Sequence, residues 1–277
     1  MDIKTYQDEA AKTNVTKHPL ISLLGLAGEV GGLYSVVKKK LRDKPSQTQF
    51  RNELAEEIGD LLWYLAAVAT HYNINLAEVA EQNLVKANGF FGGSESPFFD
   101  ERYPEAERFP DRMRVEFSLD QEGRASMFYN GIQLGDSLSD NSHDEDKYRF
   151  HDAFHLAFLA HLHWSPVIRR LLKKKRKSVP LVDENEDGAR AAIVEEAVAA
   201  LVFAHAEEAE FFPTVESVPL RLVTLIQKIT SKFEVKNCSA SSWRQAIHEG
   251  AQAFKRLGEN GGGVIEVDLN MSLMEVE

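Results

Sequence analysis

The chain has 277 residues, 43% of them hydrophobic and 27% charged, with a formal net charge of −11. That length and apolar content suit one large domain or two ordinary ones. The negative balance excludes broad electrostatic attraction to DNA, RNA or anionic membranes, so an anionic ligand would need a local device such as a divalent cation.

Residues 3–13 predict a short helix whose acidic, amphipathic sequence is unlike a leader peptide. From Pro19, "LISLLGLAGEVGGLYSVVKKKL" spaces Leu23, Leu26, Val30, Leu33 and Val37 three and four apart, a helical period. Its basic end and Pro45 mark a stop. "FRNELAEEIGDLLWYLAAVATHY" is the strongest helix, acidic before Asp60 and apolar after it. The longest uninterrupted apolar run, 61–69, lies here and is too short to span a bilayer. "NLAEVAEQNLVKAN" predicts another helix, with Asn75 as its N-cap.

Residues 88–112 are rich in Gly, Pro and Phe and predict an ordered linker, so the chain divides near 95 into domains 1–95 and 96–277. Over 112–136, alternation with turn signals at Glu122-Gly123 and Asn130-Gly131 predicts antiparallel hairpins. Helices resume after 147, at "YRFHDAFHLAFLAHLHW", "ARAAIVEEAVAALVFAHAEEAEFF", 217–233 and 241–257, and "VIEVDL" returns to the sheet. The stretch "LLKKKRKS" before "DENEDG" reads as a solvated charge run, with a phosphate patch as the alternative. Cys238, the single cysteine, excludes a disulfide framework and has no basic neighbour to activate it. The expected fold is mainly α: an all-helical N-terminal bundle, then a mostly helical α+β domain with a small antiparallel sheet. A cytoplasmic location is expected, with no membrane partner and no extended nucleic-acid partner.

The N-terminal half carries the chemistry most clearly. Glu53, Glu57, Asp60 and Tyr64 form a stripe at i, i+4, i+7 and i+11 on one helical face. Asp60 stands where the helix becomes apolar on every side, an expensive place for an unpaired carboxylate. Glu29 poses the same problem on the preceding helix. Packed antiparallel, the two helices would gather Glu29, Glu57 and Asp60 around a hard cation such as Mg²⁺. On spacing alone, acids of a first helical turn favoured by the helix dipole remain the other reading.

Two segments, "GLAGEVGGLYSVVKKKLRD" and "ELAEEIGDLLWYLAAVA", resemble the MazG-like nucleotide pyrophosphohydrolases of the all-helical superfamily over roughly residues 5–88. The resemblance implies paired Glu-x-x-Glu and Glu-x-x-Asp motifs holding Mg²⁺ (or Mn²⁺). Water would then split a nucleoside triphosphate between the α and β phosphorus atoms, giving monophosphate and pyrophosphate. By position it makes Glu29, Glu57 and Asp60 the catalytic and metal-binding set. It sets Tyr64 in the nucleotide pocket, Lys38 and Lys39 toward phosphates, and Asn83 with Lys86 in the region that closes the site. It also implies a homodimer or higher homo-oligomer. The sequence departs from the pattern at Gly32, which stands where the first motif has its second Glu; Glu53 or Glu56 is then the substitute ligand. A catalytically weakened nucleotide-binding sensor or interaction module is the alternative outcome.

The second half resembles the domain that follows some MazG-like domains, at "YRFHDAFHLAF", "HWSPVIRRLLKKKRKS" and "GGGVIEVDL". Its residues offer a second cluster. His151 and His155 stand four apart with Asp152 between them, close to the His-Glu-x-x-His pattern of zinc proteases, with Glu195 and Glu196 as partner-helix ligands. Histidines satisfied by hydrogen bonds in a helical core are the plainer reading, and His161 and His163 are expected to be of that kind. A metal-dependent hydrolase using His151, Asp152 and His155 is the remaining alternative for function. "RNELAEEIGDLLWYLAAVA" and "RAAIVEEAVAALVFAHA" look alike, through either a diverged duplication or the shared habits of amphipathic helices.

Overall fold

The computed structural model describes residues 1–276 apart from 16–17, 44–48 and 92–95; the side chains of 43, 85–86 and 88–91 also lie outside the described residues, as does the expected stop at Pro45. The chain forms two compact units, Met1–Ala87 and Asn88–Glu277, dividing slightly ahead of the expected point near 95.

The N-terminal unit is all helical: α1 (Ile3–Thr13), α2 (Pro19–Asp43), α3 (Phe50–His71) and α4 (Leu76–Phe91). Asp2 caps α1 by accepting from the Thr5 N–H at 2.8 Å. Asn75 caps α4 through the Ala77 N–H at 2.9 Å. Gln7 ties α1 to the turn between α3 and α4, donating to the Ile74 carbonyl at 2.8 Å and accepting from the Leu76 N–H at 2.9 Å. Trp63 on α3 adds a bond to Thr13 Oγ1 at 2.9 Å.

Three contacts set the pairing of α2 with α3. Gly25 lies against the Tyr64 ring, Gly32 against the Glu57 carboxylate, and Lys40 Nζ sits 5.5 Å over the Phe50 ring. The numbers rise along one helix as they fall along the other, so the pair is antiparallel. Both glycines are used for close approach, because a Cβ at either position would run into the side chain opposite.

The expectation that α3 is apolar and buried on every side needs correction. Within the chain only Ala66, Ala67 and Ala69 of α3 are fully buried, while Ile58, Leu65 and Asp60 are exposed. On α2, Leu20, Leu24, Tyr34 and Leu41 are more than half exposed. The contacts within this unit leave these apolar residues of α2 and α3 uncovered. By length and composition Pro19–Arg42 is also apolar enough to cross a membrane, with a mean hydropathy of 1.7 over its window. A search for uninterrupted apolar runs misses this, because Glu29 breaks the segment.

The C-terminal unit holds a five-stranded antiparallel sheet in the order β3-β2-β1-β4-β5: β1 (Arg112–Leu119), β2 (Ala125–Tyr129), β3 (Ile132–Leu138), β4 (Gly262–Asp268) and β5 (Leu273–Val276). Both expected hairpin turns form, with Gly123 and the Asn130-Gly131 pair at positive φ. On β1, Met113, Val115 and Phe117 face the core while the alternate residues are exposed, the period-two pattern of a half-buried sheet.

Six helices complete the unit: α5 (Asp152–Leu162), α6 (Pro166–Leu171), α7 (Pro180–Asn185), α8 (Ala189–Glu208), α9 (Leu220–Ile229) and α10 (Ala240–Asn260). Every residue of α5 from Ala153 to Leu162 is buried. It is the central rod of the core, and burying each of its large apolar side chains contributes about 1.5–3 kcal/mol. Gly250 of α10 lets that helix pass close to α5; a Cβ there would come within 3.0 Å of Ala157 and Phe154.

In the basic stretch from Leu171 to Ser178, Lys173 and Lys177 are exposed as its composition predicts, but its arginine is not, nor is Arg169 on α6. Arg169 and Arg176 are buried, at 2% and 1% exposure. Arg176 Nη2 bonds Asp187 Oδ1 and Glu234 Oε1, both at 2.6 Å, and its backbone N–H donates to Asp187 Oδ2 at 2.6 Å. Arg169 reaches the Glu107 carbonyl at 2.7 Å and Asp100 at 3.1 Å, and stacks 3.8 Å over the Phe109 ring. The "DENEDG" acids and the linker thus neutralise arginines in the interior. His161, paired with Glu249 at 2.6 Å, and His163, bonded to the Pro97 and Leu269 carbonyls, are satisfied core histidines.

Candidate active site

The antiparallel register decides which acids meet. With Gly25 against Tyr64 and Gly32 against Glu57, Glu29 falls opposite Asp60. Glu57 and Asp60 are one turn apart on α3, and Glu29 is nearly one turn from Gly32 on α2. Glu29 and Glu57 are half-buried and Asp60 is exposed. Their carboxylate oxygens do not draw together within 4.8 Å of one another.

Gly32 acquires a physical meaning here. The Glu57 carboxylate lies over its α-carbon, where a side chain at position 32 would begin. The space that another carboxylate would fill is thus taken by Glu57 itself. Of the substitute ligands, Glu53 is half-buried on the same stripe, whereas Glu56 is exposed and about 100° round the helix from Glu57.

We expect Gly32→Ala to keep the fold, because only the flexible end of Glu57 must move, and alanine is the better helix former by about 1 kcal/mol. A melting temperature at or above wild type, measured by circular dichroism, is the expected result; a clear loss would show that the Glu57 carboxylate cannot move aside.

Tyr64 stands one turn beyond Asp60 with its ring against Gly25 and edge-on to Trp63, centroids 5.0 Å apart. Lys38 and Lys39 are exposed, and Lys38 lies about 9 Å along α2 from Gly32. The register therefore sets both beside the start of α3 and away from the acids. Asn83 is exposed on α4, and the Lys86 side chain lies outside the described residues.

In the C-terminal unit the residues of the second cluster do converge. Glu196 Oε2 on α8 lies 3.3 Å from His155 Nε2 and 3.6 Å from His151 Nε2. His155 Nδ1 meets Glu195 Oε1 at 2.8 Å, with both side chains fully buried. Glu195 also accepts from Ser165 Oγ at 2.6 Å and from the Val167 N–H at 2.8 Å. Burial disfavours a charged His155 ring, but the Glu195 and Glu196 carboxylates outweigh it and push its pKa up to about 10. Hydrogen bonds from His151 and His155 hold the Glu196 carboxyl well below the usual range. Asp152 lines an adjoining cleft of about 280 Å³ together with Asp136, Arg170 and Leu171. Sequence reasoning missed Ser165 and the cleft residues from β3. The Ser-Pro helix start at 165–166 was a legible signal for the first; nothing in sequence spacing brings β3 to α5.

An all-helical unit with acids on facing turns of an antiparallel pair is thus followed along the chain by a mainly helical α+β unit. The MazG nucleotide pyrophosphohydrolase domain family matches residues 18–89, and the MazG C-terminal domain family matches 94–277. The chain belongs to the MazG family. It is similar to Gene 37 protein of Mycobacterium phage L5, 40% identical over 65 residues, which is 23% of this chain and 57% of that protein. The chain thus spans little more than half the length of that relative. No solved structure matches it.

Proposed function

We propose that the protein hydrolyses nucleoside triphosphates, or related nucleotides, to nucleoside monophosphate and pyrophosphate in a Mg²⁺-dependent reaction at Glu29, Glu57 and Asp60. The observation that carries this reading is the α2–α3 register, which sets Glu29 opposite Asp60 and gives the Glu57 carboxylate its room over Gly32. The donor set is all oxygen, the kind Mg²⁺ takes, and Glu53 is on the same face as a further donor. Bound there, Mg²⁺ would neutralise charge on the phosphate oxygens. The carboxylates hold that charge in place and orient water toward the α phosphorus; as its oxygen forms the new P–O bond the water gives a proton to a neighbouring carboxylate, and the bond to the bridging oxygen breaks so that pyrophosphate leaves. Tyr64, one turn further along α3, would meet the nucleoside end.

A panel of nucleotides incubated with the full chain and Mg²⁺ or Mn²⁺ tests this. Equal amounts of monophosphate and pyrophosphate support it; diphosphate and free phosphate, or no turnover with retained nucleotide binding, would overturn it. The second outcome is that of a sensor.

The exposed apolar residues of α2, with Ile58 and Leu65 of α3, favour a second copy as the missing layer of the bundle. Light scattering is expected to give a mass of two or more chains. A monomer at micromolar concentration would count against it.

A further inference from the structure

We propose that His151, His155 and Glu196 form a second metal centre, in the C-terminal unit, that binds a divalent transition-metal ion of the zinc, manganese, iron or cobalt kind. The case rests on where the lone pairs point. His155 Nδ1 is taken by Glu195 at 2.8 Å, and His151 Nδ1 by the Tyr148 carbonyl at 3.0 Å. Both partners are acceptors, so each ring carries its proton on Nδ1 toward them. With the rings neutral, both Nε2 atoms are acceptors facing Glu196 Oε2, itself an acceptor. Three electron pairs then converge, and a divalent cation completes the arrangement in place of the proton that the two carboxylates otherwise hold on His155.

A proton shared between His155 and Glu196 is the competing explanation, and the distances disfavour it. Charge-assisted N–H···O bonds are about 2.7–2.9 Å long. The two Nε2–Oε2 separations are 3.3 and 3.6 Å. Ligands about 2.0–2.1 Å from a tetrahedral ion sit about 3.3–3.4 Å apart. All three ligand atoms lie within 4.8 Å of one another, and among the described residues this is the one such group of His, Cys, Asp and Glu side chains.

The surroundings fit the same role. Ligating histidines usually donate their other ring N–H to a carboxylate or backbone carbonyl, which fixes tautomer and ring orientation. Here one histidine has each kind of partner. Glu195 is held in turn by Ser165 Oγ and the Val167 N–H, so the Nε2 of His155 is aimed by a buried, fully bonded support. Two imidazoles in a set of three select a transition metal over Mg²⁺ or Ca²⁺. His151 and Glu196 themselves border the cleft of about 280 Å³ that Asp152, Asp136 and Arg170 line, so water or a small oxygen ligand could reach an ion held there.

The test uses the full chain, stripped with chelator and titrated with Co²⁺, whose visible absorption reports nitrogen ligation. One equivalent should bind with visible bands that Zn²⁺ abolishes. His151→Ala and the near-isosteric Glu196→Gln should each weaken binding about 100-fold or more, and Asp60→Asn should leave it unchanged. Glu196 is 44% exposed, so its variant decides the matter even where His151→Ala fails to fold. No visible band in wild type, a band unchanged in Glu196→Gln, or a band lost in Asp60→Asn would overturn the proposal. The last outcome would place the bound ion at the N-terminal acids.

Discussion

Asp60→Asn is expected to lower pyrophosphate release by about 10³-fold or more, a loss of roughly 4 kcal/mol of transition-state stabilisation. The substitution keeps shape and removes charge. Asp60 is exposed and lies opposite Glu29 in the α2–α3 register, so nothing in the packing of α3 depends on its ionised form. Removing one of several neighbouring negative charges relieves repulsion, and the melting temperature should hold or rise slightly. Glu56→Gln is the matched control. It lies one residue from Glu57 but exposed and about 100° round the helix, and its turnover should change less than about three-fold. A continuous assay for pyrophosphate, with circular dichroism melting on the same samples, checks both. Equal losses in the two variants would mean that bulk acidity, and not the shared face, supports the reaction.

The second large effect concerns stability. Asp187→Ala should destabilise the C-terminal unit by about 3–5 kcal/mol, the cost of leaving a buried charge without a partner. Asp187 and Arg176 both have side chains about 1% exposed. Asp187 bonds the guanidinium at 2.6 Å and also accepts from the Arg176 backbone N–H, so its loss strands a cation and a backbone donor together. Glu234, the other partner of Arg176, retains only part of the compensation. For a unit of this size the shift in melting temperature is roughly 10 °C, measurable by calorimetry. A shift below about 2 °C would show that water or rearrangement rescues the arginine.

Much of this molecule was legible before its structure. Local signals fixed local structure: the three-and-four spacing from Pro19, the cap at Asn75, and the glycines after Glu122 and Asn130 all mark elements that form as expected. The acids Glu29, Glu57 and Asp60 draw notice in the sequence because carboxylates interrupt apolar helical stripes, and the register sets Glu29 opposite Asp60, although Asp60 itself is exposed. What could not be read was set by tertiary partners. Arg176 looks like part of a solvated basic run until Asp187 and Glu234 enclose it. Gly32 looks like a missing ligand until the register shows Glu57 occupying its space. The apolar faces of α2 and α3 promised full burial, which one chain cannot supply. Lys38 and Lys39, close to Glu29 in sequence, are carried past the acids by the rise of the helix.

The most direct test of the account is pyrophosphate release from a nucleoside triphosphate at saturating Mg²⁺, measured in parallel for wild type, Glu57→Gln and His151→Ala. Glu57→Gln should lose at least about 100-fold, and His151→Ala should retain wild-type turnover. Loss in His151→Ala with turnover intact in Glu57→Gln would contradict it and move the chemistry to the C-terminal unit.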